Sequence, residues 1–79
     1  MRTLITFQNK SIPVYFNQEN KQPMQKTLRL LSSALEHKIS NGKRALQKCL
    51  HSLISIEIVG CEAILHSRSE NDSLALSLY

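Results

Sequence analysis

Apolar and polar residues alternate with a period of two near both ends of the chain and with a period near 3.6 in its middle, so strands are expected to flank helices. Thr3 to Phe7 (TLITF) and Ile12 to Phe16 (IPVYF) are short and rich in β-branched and aromatic residues, and Gln8-Asn9-Lys10-Ser11 between them is turn chemistry. A β-hairpin follows. Ile5 and Phe7 share one face of its first strand, and Ile12, Val14 and Phe16 share one face of its second. Pro13 has no amide hydrogen, which predicts a sheet edge for that strand or an outward-facing Pro13. Residues 17–22 (NQENKQ) are wholly polar and read as a loop, and Pro23 suits the first turn of a helix.

From Met24 the spacing changes. Met24, Leu28, Leu31, Leu35 and Ile39 form one helical stripe, and Leu46, Cys49, Leu50 and Leu53 form another. Ser40-Asn41-Gly42 between them are weak helix formers, so the spacing predicts two helices. The alternative is one helix over 24–54, about 46 Å long. That is too long for a globule with an expected radius of gyration near 12 Å, unless a second chain covers the overhang. Ser55 to His66 returns to alternation with both faces apolar and reads as a central strand, with Gly60 marking a bulge or a close backbone approach. Ser67 to Asp72 supplies a turn. Ser73 to Tyr79 reads as a last strand with Leu74, Leu76 and Leu78 on one face. The expected fold is α+β in the order β-β-α-α-β-β: an antiparallel sheet from N-terminal and C-terminal β-hairpins, with one or two helices packed on one face.

A length of 79 residues predicts one domain spanning the chain, with no linker and no internal repeat. A hydrophobic share of 42% against 20% charged excludes a disordered chain. So small a core favours help from a second subunit, because the two cysteines, Cys49 and Cys61, can make one bridge at most. Arg2 and the alternation after it do not form a secretory signal. The longest apolar run, Ile12 to Phe16, is far short of a membrane span. A cytoplasmic setting is expected, with both cysteines as reduced thiols in packing roles.

Charge separates along the chain. Residues 21–48 hold Lys21, Lys26, Arg29, Lys38, Lys43, Arg44 and Lys48 against Glu36 alone, while residues 55–79 hold Arg68 against Glu57, Glu62, Glu70 and Asp72. On the helical wheel Lys26, Arg29 and His37 lie opposite the first apolar stripe, and Arg44, Lys48 and His51 lie opposite the second. Such a basic outer face can neutralise phosphates without reading sequence. Base-specific recognition is not expected, since Phe7, Tyr15, Phe16 and Tyr79 are the only aromatics and stacking platforms need more on one sheet face.

Catalytic signals are sparse. His37, His51, His66, Cys49 and Cys61 contain no CxxC or HxxxH pair, so no metal site is expected. Gly42 and Gly60 lie far apart and form no phosphate-cradling loop, which argues against a nucleotide cofactor. The leading expectation is a non-catalytic binding protein, an accessory, inhibitor or antitoxin-like modulator of the kind found in bacteria, phages or plasmids. It would dock a protein partner or a second copy through Leu74, Leu76, Leu78 and Tyr79. The alternative is a DNA- or RNA-binding regulator that contacts the phosphate backbone through Lys26, Arg29, Arg44 and Lys48. The third is a small ribonuclease-like toxin with His66, two residues before Arg68, as the group to examine. None of the three involves a membrane or a small-molecule cofactor.

Overall fold

The computed structural model describes residues 2–16, 23–42 and 44–78; the loop expected at 17–22, Lys21, Lys43 and Tyr79 lie outside the described residues. Strands β1 (Arg2–Phe7) and β2 (Lys10–Phe16) are followed by helices α1 (Met24–Ser40) and α2 (Arg44–His51). Strands β3 (Leu53–Val59) and β4 (Glu62–Ser67), a 3-10 turn at Glu70–Asp72 and strand β5 (Leu74–Ser77) complete the chain. The α+β class and the β-β-α-α-β-β progression stand, with the strand expected at 55–66 resolved into two, β3 and β4.

All five strands form one sheet in the order β1-β2-β3-β4-β5. It is mixed, because β2 and β3 run parallel while the other neighbours are antiparallel. This corrects the expectation of a purely antiparallel sheet. The chain leaves β2, crosses one face through α1 and α2, and re-enters beside β2; a helical crossover between neighbouring strands brings them out parallel. β2 is therefore internal, so the sheet edge expected for it does not hold, while the alternative, an outward-facing Pro13, does: Pro13 stands opposite Leu4 on the face away from the helices. Pro13 is tolerated because β1 and β2 join through a two-residue turn that makes Phe7 and Lys10 a hydrogen-bonded pair. Alternation then aims the missing amide at Pro13 toward β3, and pairing with β3 begins only at Val14.

The expected strand at 55–66 is a hairpin. Val59 pairs with Glu62, and Gly60 (φ +59) with Cys61 makes the two-residue turn, with glycine in the first central position as in a type II′ turn. Cys61 is consequently exposed at the turn and does not pack in a strand. The β1–β2 turn uses Gln8 (φ 51) and Asn9 (φ 65), a type I′ arrangement in which each non-glycine residue costs about 1 kcal/mol.

Two helices, not one, lie between β2 and β3. α1 ends where the Gly42 N–H donates to the Ile39 carbonyl at 2.9 Å. Gly42 itself takes φ +68, the left-handed backbone that closes helices at low cost only with glycine. Thr27, Leu31 and Leu35 of α1 and Leu46, Cys49 and Leu50 of α2 point inward. They meet Ile12 and Val14 of β2, Ile56 and Ile58 of β3, Ala63 and Leu65 of β4, and Leu76 and Leu78 at the C-terminal end. These strand residues all share one face by register, so the helices cover that face alone. The radius of gyration is 11.6 Å.

Candidate interaction surfaces

The first surface is the outer side of the helical layer. Lys26, Arg29, Arg44 and Lys48 are all exposed, because each lies about half a turn from the buried stripe of its helix. None of the four forms an ion pair with a described residue. The structure does not gather them into one site. Lys26 and Arg29 line a shallow depression on α1 with Leu30 and Ser33, whereas Lys48 lines another with Gln47, His51, Ser52 and Asp72. Arg44 lines neither.

The second depression contains a serine, a histidine and an aspartate, yet no hydrogen bond joins them among the described residues. The Ser52 hydroxyl lies 2.6 Å from that of Ser67. The Ser67 N–H donates to the Ser73 hydroxyl at 3.1 Å and the Arg68 N–H to the Ser52 carbonyl at 2.8 Å. This cluster pins the end of α2 to the end of β4. Sequence reading missed it, since only the fold brings positions 52, 67 and 73 together. Lys10 adds a similar tie, its Nζ donating to the His51 carbonyl at 3.3 Å, where a cation suits the C-terminal end of a helix.

The second surface is the outer edge at β5. Leu76 and Leu78 are 8% and 7% exposed, and Leu74 packs against the core. These three leucines, expected to meet a partner, instead anchor β5 beneath the helices, because they continue the covered face of the sheet. Tyr79 lies outside the described residues. What β5 offers outward is its flank. A groove of about 200 Å³ runs beside it, lined by Leu74, Ala75, Leu76, Ala45, Leu46 and Lys38.

The third surface is the helix-free face of the sheet, which sequence reading did not single out. Register places Leu4, Thr6, Ser11, Pro13 and Tyr15 there, with Ser55, Glu57, Val59, Glu62, Ile64 and His66 across the middle strands. Leu4 is 60% and Tyr15 43% exposed. Ile54, within the register irregularity between Leu53 and Ser55, is exposed as well. His66 Nε2 lies 3.2 Å from Glu57 Oε1 across the diagonal of neighbouring strands, both side chains being nearly half exposed. His66 is thus held by Glu57 on an open, flat surface.

Among the described residues no group of three or more His, Cys, Asp or Glu side chains is placed to hold a metal ion. No helix there is long and apolar enough to cross a membrane. Comparison with protein-family models, curated proteins and solved structures finds no match to this chain.

Proposed function

We propose that this protein is a non-catalytic binding protein that docks an extended segment of a partner protein along β5. The observation that carries the reading is the outermost position of β5 beside an apolar groove. In strand addition, main-chain hydrogen bonds give affinity and pockets for alternate side chains give specificity. The Leu78 N–H donates to the Cys61 carbonyl at 2.9 Å, so strand alternation turns Leu76 and Leu74 inward as well and Ala75 outward. A side chain of the added strand that faces the helices would enter the groove. The groove is lined mainly by small and branched apolar side chains, and the surrounding helical layer is cationic, with Arg44 and Lys48 exposed. Both favour a partner segment that alternates small apolar with acidic residues.

Ala75→Pro tests this reading. The substitution removes an N–H that β4 does not use, and proline is accepted on the solvent side of edge strands. Peptides of alternating apolar and acidic residues, selected on the wild-type chain, should lose at least tenfold in affinity for the Ala75→Pro variant while its circular dichroism stays unchanged. Equal affinity for both chains would refute strand addition.

A second reading has one observation in its favour. Lys26, Arg29, Arg44 and Lys48 are exposed and without acidic partners among the described residues, as contact with a phosphate backbone requires. Their division between separate parts of the helical layer fits loose, sequence-independent contact better than a shaped site.

A further inference from the structure

We infer that the helix-free face of the sheet is a self-association surface that stacks on the same face of a second copy of this chain, independently of the partner docked at β5. The large hydrophobic residues most exposed among the described residues are Leu4, Tyr15 and Ile54. Leu4 and Tyr15 stand on this face by register, with Pro13, Val59 and Ile64 around them, and Ile54 is next to Ser55 at its rim. Leu4, Pro13 and Tyr15 form an apolar cluster on β1 and β2, with Glu57 between them and Ile64; exposed apolar clusters mark association sites, and tyrosine is among the side chains enriched where binding energy concentrates.

Three features select a second copy as the occupant. The first is area. The molecule measures 31 × 23 × 22 Å with 5375 Å² of accessible surface. One broad face of such a body is on the order of 700 Å², near the roughly 800 Å² per partner of a stable interface. The second is shape: a sheet face packs on another sheet face at about 10 Å, and a two-fold axis makes one patch complementary to itself. The third is charge. This face sets two carboxylates, Glu62 and the Glu57 beside His66, against the second copy, where the helical layer would set four cations. Stacking through it sends the two cationic layers to opposite outer sides. Association through the helices would press Lys26, Arg29, Arg44 and Lys48 against their own copies. Pairing at β5 would set the two helical layers side by side.

Sedimentation velocity of the intact chain from 1 to 200 µM tests the inference, with Leu4→Glu, Tyr15→Glu, Thr6→Lys and Ala45→Glu alongside. Thr6 is exposed on the same face, so its replacement removes no core contact and serves if either apolar substitution disturbs folding. The expected result is a wild-type dimer, weakened at least tenfold by each substitution on the open face and unchanged by Ala45→Glu, which alters the β5 groove from the helical side. A wild-type monomer at 200 µM would overturn the inference. So would a dimer that survives the open-face substitutions, or one that Ala45→Glu dissolves, which would move the interface to the β5 groove.

Discussion

What surrounds a thiol decides how it reacts, and this chain holds one of each kind. Cys49 is fully buried, with its S–H directed at the Leu65 carbonyl at 3.6 Å. Burial pushes the Cys49 thiol above its ordinary range. The charge of Asp72 acts in the same direction, and a backbone contact from Leu74 opposes them. The thiolate is the reactive form, so a disulfide reagent should modify Cys61 alone in the native protein and reach Cys49 only on unfolding. Two rapidly reacting thiols in native buffer would contradict the buried placement. The same shift links stability to pH. As pH climbs past about 8.5 the unfolded chain gives up this proton before the folded one, so urea resistance should fall there, and Cys49→Ala should flatten that slope. Composition alone assigns packing roles to both cysteines. That holds for Cys49, which sits on an apolar helical stripe, and fails for Cys61, which a turn carries to the surface.

Each helix and strand shows where a pattern informs and where it misleads. The 3.6-residue spacing locates α1, but the stripe through Met24, Leu28 and Leu31 lies to one side of the true centre, which runs through Thr27, Leu31 and Leu35. A polar residue does not register in an apolar count. Thr27 is fully buried, and its hydroxyl has no hydrogen-bond partner among the described residues, a burden of about 1 kcal/mol or more. Thr27→Val, nearly the same shape, should therefore raise stability by about 1 kcal/mol in chemical denaturation, and a loss of that size would show that the hydroxyl is satisfied in solution. The β3–β4 turn was missed, although the pattern holds a trace of it. Read as a single strand, residues 55–66 place Glu62 in one row with Ile56 and Ile58, a carboxylate among core side chains. A two-residue turn at Gly60 shifts the parity, bringing Ala63 and Leu65 into the core and Glu62 out to solvent.

At the scale of the whole molecule, element order was readable and strand direction was not. Alternation looks the same in parallel and antiparallel strands, and the neighbours of β2 follow from the path of the helices across the sheet. The open face escaped notice for a related reason: Leu4 and Tyr15 belong to separate strands, and only register sets them beside Pro13 and Ile64. Charge layout was visible from the start, and its test belongs here. If the helical layer binds nucleic acid through its four exposed cations, affinity for duplex DNA should fall with salt at a log–log slope of about −3 to −4. Lys26→Ala combined with Arg29→Ala should reduce that slope by about 2. Binding that ignores salt, or no binding at low salt, would remove this second reading.

The parallel joint between β2 and β3 carries a kinetic consequence. Each hairpin joins residues that are near neighbours in the chain, yet pairing Val14 with Ile56 must gather everything between them, including both helices. Distant contacts form more slowly than local ones because closing a long loop costs entropy before any contact rewards it. The sheet is thus two quickly made ribbons sewn along one late seam, and the pace of refolding is set by how soon the intervening segment coils into place.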